Sequence, residues 1–176
     1  MMNEYLTEQS LRRFFSERID EKAVFNRVIP DIGMRNRPDC RSERKKLIVE
    51  FDGWKHYTDP ATIISDSEKD KATSALGYST IRIPYFVQLS RDVVEFLFKD
   101  YATDLSEWNS FPHGFHSRGV IFPASFCELG ISRFLNDLQK FSIVRNDIVN
   151  SLIVASAKFK PDIVVPPSLR NIVIEK

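Results

Sequence analysis

The sequence predicts an α/β fold over its first hundred residues and a mainly helical segment after them. Three observations carry this expectation. Helical and strand-like hydrophobic patterns alternate from residue 6 to about residue 99. The stretch Leu47-Ile48-Val49-Glu50-Phe51-Asp52 is strongly β-prone. Glycine and proline fall between these patterns, where they punctuate them. The length of 176 residues suits one domain, or one domain with a smaller appendage. The expected division is a core over 1–100 and a helical extension over 101–176 packed on it.

The elements follow in order. Leu6, Leu11, Phe14, Phe15 and Ile19 recur near helical spacing with charges between them, which predicts an amphipathic helix over 6–19. Pro30 and Gly33 break it. Two short strands are expected at 37–41 and 46–52, joined by a polar hairpin turn centred on Arg44-Lys45. Asp59-Pro60 offers a cap and a first-turn proline for a polar helix over 60–76; Ser65 and Glu68 would form a capping box if it began later. Gly77 stops that helix. A strand over 78–83 ends at Pro84, and Ser90 caps a helix to about Lys99. The order α-β-β-α-β-α is an α/β sandwich pattern. Beyond the connection, Ser125 and Glu128 make a capping box for a helix to about Phe141, with Phe126, Leu129, Phe134 and Leu138 as its core stripe. A further helix is expected over 143–157. The tail, with Pro161, Pro166 and Pro167, reads as extended or flexible.

Composition narrows the function classes. Hydrophobic residues make up 43% and include 14 Phe, enough for a core without disulfides. Lys and Arg total 25 against 24 Asp and Glu, so nucleic-acid binding would need a local patch, not global basicity. Cys40 and Cys127 form neither a disulfide framework nor a zinc site, and neither belongs to a nucleophile triad. The first 25 residues hold no apolar signal-peptide stretch, and no apolar run approaches 18 residues. The expectation is a soluble cytoplasmic protein with no membrane partner.

Chemistry concentrates in acids. Side chains alternate along a strand, so Glu50 and Asp52 project from one face. A two-residue turn at Arg44-Lys45 would set Asp39 opposite Glu50, with cross-strand neighbours roughly 5 Å apart. Three carboxylates that close need a compensating cation, and Mg²⁺, with oxygen ligands and retained waters, suits such a site. The plain alternative is a set of exposed strand-end acids without a role.

A wider pattern surrounds these acids. Arg37-Pro38-Asp39 is followed by Ile48-Val49-Glu50-Phe51-Asp52-Gly53-Trp54-Lys55-His56, then by Asp66, Lys69, Asp70, Lys71, Leu76-Gly77-Tyr78 and Ile81-Arg82-Ile83-Pro84. This set, over roughly residues 35 to 86, resembles the PD-(D/E)XK nuclease superfamily, and within it the restriction-endonuclease-like group related to very short patch repair endonucleases. The resemblance implies a restriction-endonuclease-like core, a mixed sheet flanked by helices, and a metal-dependent endonuclease. Its products would be a 5′-phosphate and a 3′-hydroxyl. Asp39 and Glu50 would be metal ligands for Mg²⁺, with Mn²⁺ substituting, and Asp52 a third acid at the active edge. His56 would orient water or a phosphate, or exchange protons; otherwise it is a structural histidine beside Trp54. The superfamily's usual lysine is replaced by Asp52, and Lys55, Lys69 and Lys71 are the candidates to supply the missing charge, each also readable as a solvated surface lysine.

For the polynucleotide itself, Arg35, Arg37, Arg41, Arg44, Lys45 and Lys46 stand against only Asp39 and Glu43, a patch suited to backbone phosphates and also to blunting a hairpin edge. The stretch Phe111-Pro112-His113-Gly114-Phe115-His116-Ser117-Arg118 would form either a stacking loop or a partly buried connector. DNA is the expected substrate by resemblance, with RNA as a second class. A homodimer would cut two strands and a monomer would nick. The rival reading is a catalytically inactive nucleic-acid-binding or protein-interaction module that keeps the fold.

Overall fold

The structure, a computed structural model, describes residues 5–30, 32, 36–115 and 123–173. Of the residues singled out above, Gly33, Arg35, His116, Ser117 and Arg118 lie outside these. The first helix, α1 (Glu8–Phe14), opens with a reciprocal cap: Thr7 Oγ1 accepts from the Ser10 backbone N–H while Ser10 Oγ accepts from that of Thr7. It runs on into a wider turn, Phe15–Ile19, and its buried face of Leu11, Phe14, Phe15 and Ile19 joins the main core.

Strands β1 (Cys40–Ser42) and β2 (Leu47–Asp52) pair antiparallel with Cys40 opposite Val49. This is the expected register. The turn differs: it takes four residues, 43–46, with Lys46 in the left-handed region at φ +49, so the strands end one pair earlier than a two-residue turn allows. From β2 the chain passes through a short helix not foreseen in the sequence, α2 (Lys55–Thr58), into α3 (Pro60–Ala75). Asp59 Oδ1 accepts the Ala61 N–H at 3.1 Å and Pro60 fills the first helical position, as its fixed φ favours. Gly77, at φ +79, ends α3 in a conformation that glycine adopts without a Cβ penalty. Strand β3 (Ser79–Pro84) then lies parallel to β2, and the sheet order is β1-β2-β3. Ser90 caps α4 (Arg91–Phe98) through the Val93 N–H.

The molecule is thus α/β, with a three-stranded mixed sheet flanked by helices. Strand alternation sorts its faces. Leu47, Val49 and Ile83 enter the main core, with Phe51 and Ile81 packed against it, whereas Ile48 enters a smaller cluster with Ile29, Ile32 and Tyr78. Glu50, Asp52, Thr80 and Arg82 share that second face, which α3 crosses.

The C-terminal part comprises α5 (Glu128–Lys140), α6 (Arg145–Phe159), α7 (Pro161–Val164) and α8 (Arg170–Val173). Three expectations are corrected here. The α5 cap is Cys127, whose Sγ accepts the Gly130 N–H at 3.4 Å, while Ser125 belongs to a preceding 3₁₀ turn. Leu129 is exposed, unlike Phe126, Phe134 and Leu138. The proline-containing tail is packed, because Val164 and Val165 between the prolines and Leu169 just after them supply apolar anchors and are fully buried.

One hydrophobic cluster runs from Leu6 to Leu169 and takes in both parts of the chain. Its junction is aromatic: Tyr57 stacks on Phe126 at 5.4 Å between ring centroids, and Phe86 meets Phe134 at 5.3 Å. The described part of the 111–118 stretch is a buried connector, not a stacking loop. Phe111 lies on the Tyr5 ring, Phe115 is buried, and buried His113 accepts the Gln88 N–H at Nδ1. Among the described residues no helix is long and apolar enough to cross a membrane.

Candidate active site

Two carboxylate clusters lie on the sheet face turned from the main core. The first joins β2 to the residue before β1. The Asp39 N–H donates to Glu50 Oε2 at 3.0 Å, and the Phe51 N–H donates to Asp39 Oδ2 at 2.8 Å. The reciprocal bonds fix both side chains where the register sets them. Burial, and after it the charge of Asp39, pushes the Glu50 carboxyl up to about 8. Burial also raises Asp39, against the Phe51 N–H and the charge of Arg12 from α1. The Arg12 guanidinium is bonded to Glu8. No cation forms an ion pair with either acid among the described residues, so their negative charge is poorly compensated.

The second cluster is compensated. Asp52, at the end of β2 and only 1% exposed, accepts from Arg82 Nη1 at 2.8 Å and from Arg133 Nη2. Asp66 of α3 accepts from Arg133 Nη1 at 2.7 Å and from His56 Nδ1 at 2.6 Å. Arg82 also forms a two-pronged pair with Asp70, both bonds 2.9 Å, the geometry for which a guanidinium is shaped. Burial works to raise the Asp66 carboxyl, but the His56 bond and the charges of Arg82 and Arg133 outweigh it and hold it at about 2. Burial likewise opposes the charge on Arg82, and the surrounding carboxylates overcome it and raise its pKa.

The sign of one pH effect follows. A carboxyl held below its ordinary 3.8 contributes stability that is complete above that value and is lost as the pH falls toward 2. At about 1.4 kcal/mol per pKa unit, Asp66 contributes about 2 kcal/mol. Urea midpoints measured between pH 5 and about 2 should therefore fall less steeply in Asp66→Asn than in the unmodified protein; equal slopes would contradict this account.

The expected ligand set separates between the two clusters. Ligand atoms of Asp52, His56 and Asp66 lie within 4.8 Å of one another, close enough for one ion. Yet both carboxylates already carry two guanidiniums, and a dication there would add charge to a balanced network. Asp39 and Glu50 fit a divalent cation better, since theirs is the charge that lacks a partner. Asp52 is near enough to raise both acids electrostatically, while its own bonds go to arginine.

Lys55 and Lys71 are exposed and Lys69 is half-buried on α3; none forms an ion pair with a described residue. The cations at the acids are instead Arg82 and Arg133. The hairpin's basic residues are partly tied into the fold. Arg41, at the middle of β1, is buried and pairs with Glu43 at 2.9 Å, which leaves it no surface for a phosphate. Lys45 Nζ donates to the Tyr101 carbonyl, and Lys46 lies over the Tyr78 ring. Arg44 sits 3.5 Å from Asp20 with most of its side chain exposed, and Arg37 is exposed. His56 is held by Asp66 and not by Trp54, which is itself exposed.

Arg133 reaches the site because α5 is docked without clearance on α2. A Cβ at Gly130 would fall on the Tyr57 carbonyl oxygen and within 3.1 Å of Tyr57 Cα. One turn later Arg133 enters the network with its guanidinium over the Tyr57 ring, 5.2 Å from the centroid. A further turn on, Asp137 accepts the Tyr57 hydroxyl at 2.7 Å. No family model matches the chain, and neither does any curated protein or solved structure.

Proposed function

We propose that the chain is a divalent-metal-dependent endonuclease of the PD-(D/E)XK type that hydrolyses phosphodiester bonds, with DNA as its substrate. The observation that carries this reading is the Asp39–Glu50 pair: two carboxylates locked together by backbone bonds, with Glu50 held up to about 8. Such a pair is costly to ionise unless a cation joins it. The sequence pattern around it supports the same assignment.

Asp39 and Glu50 would hold Mg²⁺, with Mn²⁺ substituting, and the ion would supply Lewis-acid polarisation of the phosphoryl oxygen and a more acidic water. The remaining work falls to the chain. His56 donates an Nδ1–H hydrogen bond to the Asp66 carboxylate, so Nε2 is the nitrogen left to accept a proton from water. Arg82 and Arg133 hold Asp66 ionised, so that it accepts from His56, and both bond the Asp52 carboxylate. They also stand where a cation can stabilise charge developing on the phosphate, the task expected of the absent lysine.

The engagement of Asp52 by two arginines favours one rival, an inactive binding module with the same fold. Cleavage of labelled plasmid and linear DNA, with Mg²⁺, Mn²⁺ or EDTA, separates the two. Metal-dependent cutting is expected, with Asp39→Ala and Glu50→Ala folded but inactive. Failure of every metal to support cutting of DNA and then of RNA would sink the nuclease reading, and normal cutting by both variants would sink the site assignment.

A further inference from the structure

A groove of about 1030 Å³ runs along the outer side of β3, walled by α3 and α5. Arg82 and Arg133 are among its lining residues, Asp39 and Glu50 are not, and Arg82 stands directly across the ladder from Glu50. β3 pairs only with β2 among the described residues, and Ser79 and Thr80 of this edge strand also line the groove.

The acids in its walls are already engaged. Asp70 is paired to Arg82, Asp66 to Arg133 and His56, and Asp137 accepts from Tyr57. The groups without an ion pair are of the opposite kind, although Lys140 Nζ lies over the Phe141 ring, 5.2 Å from its centroid. Lys71 on the α3 wall and Lys140 on the α5 wall are both exposed, and neither has an ion-pair partner among the described residues. Ser67, Ser74, Ser132 and Asn136 add neutral hydrogen-bond donors between them. Cations flanking a row of hydroxyl and amide donors recognise phosphate oxygens, and these groups position a backbone without reading bases. Among the described residues Tyr78 is the sole aromatic one in the lining and is buried, so they offer no platform for base stacking in the groove.

We infer that this groove seats the sugar-phosphate backbone of one DNA strand and leads it to the acids, with Lys71 and Lys140 as the phosphate contacts from opposite walls. The inference rests on the nuclease reading and adds the path of the substrate. It assigns half of the substrate-binding surface to the C-terminal segment, and it makes the groove, not the hairpin, the main contact.

The test is fluorescence anisotropy of labelled single-stranded and duplex oligonucleotides in EDTA, which prevents cutting, over a series of salt concentrations. The variants are Lys71→Glu/Lys140→Glu and, as a comparison outside the groove, Arg37→Glu. The double variant should bind at least tenfold more weakly. Its salt slope should shrink by about 1.4 on single strands or about 1.8 on duplex, two phosphate contacts' worth; the arm that shows this identifies the form of DNA seated. Arg37→Glu should change affinity less. Equal affinity and slope for the double variant and the unmodified protein would overturn the inference, as would absence of binding to both oligonucleotides. Cutting is scored separately with Mg²⁺: binding that depends on the groove without any cutting retires the nuclease reading and leaves the groove, whereas cutting that ignores the two lysines does the reverse.

Discussion

Glu50→Gln is expected to abolish cutting while making the metal-free protein more stable. The two effects have one cause. The Glu50 carboxyl is held up to about 8, against an ordinary 4.5, because burial and the Asp39 charge disfavour its ionised form. A group raised in this way contributes stability that is complete below 4.5 and is lost as the pH rises through about 8. Glutamine keeps an oxygen to accept the Asp39 N–H and never ionises. At pH 8.5 in EDTA the variant should therefore gain about 2 kcal/mol, since each pKa unit is worth about 1.4 kcal/mol and a half-buried group retains part of its hydration. For a domain of this size that is about 4–8 °C in melting temperature. At pH 5 the two proteins should melt together. The same substitution removes a charged ligand, and the loss of several kcal/mol of transition-state stabilisation slows cutting by about a thousandfold. A variant that melts lower at pH 8.5, or that still cuts at a tenth of the original rate, would contradict the assignment.

Gly130→Ala is expected to be the most destabilising single-methyl change in α5. Helix propensity predicts the opposite sign, because alanine in a helix interior is favoured over glycine by about 1 kcal/mol. Here the added Cβ meets the Tyr57 carbonyl, a backbone group that cannot rotate away. The helix must withdraw from α2, and Arg133, Phe134 and Asp137 lose their partners together. Withdrawal of Arg133 leaves Asp52 and Asp66 buried with one guanidinium fewer, a situation that costs about 3–5 kcal/mol by itself. A loss of about 4 kcal/mol or more is expected in urea denaturation, against a near-neutral Leu129→Ala at the exposed neighbour. A neutral or stabilising Gly130→Ala would mean that α5 does not dock as described.

Local signals made much of the first half legible. Asp59-Pro60, Gly77 and Ser90 each act through chemistry confined to a few residues, and the ends of α3 and the start of α4 fall where that chemistry puts them. The pairing of Asp39 with Glu50 was readable because a hairpin ties register to the position of its turn. The second cluster was harder to see because its partners are distant in sequence. Arg82 did carry a signal: it alternates with Ile81 and Ile83 on a strand, so it had to lie on the face of Glu50 and Asp52. Arg133 carried none, since nothing on α5 reveals that Gly130 sits on a neighbouring carbonyl. The tail misled because proline argues against helix continuation, while burial of Val164, Val165 and Leu169 was a property of the whole core. Arg41 looked like surface charge because composition does not say which way a strand residue points.

The docking of α5 also has a consequence in time. A chain grows from its N-terminus at about 5–20 residues per second, and Asp52 and Asp66 precede Arg133 by about 80 and about 70 positions, so these acids emerge roughly 3–16 seconds before their last counter-charge. During that interval Asp52 and Asp66 have only Arg82 and His56 to share, and the α2 surface that will receive Gly130 is bare. A nascent chain therefore holds this charge network incomplete until the helix that closes it arrives, and the order of synthesis sets the order in which the cluster is assembled.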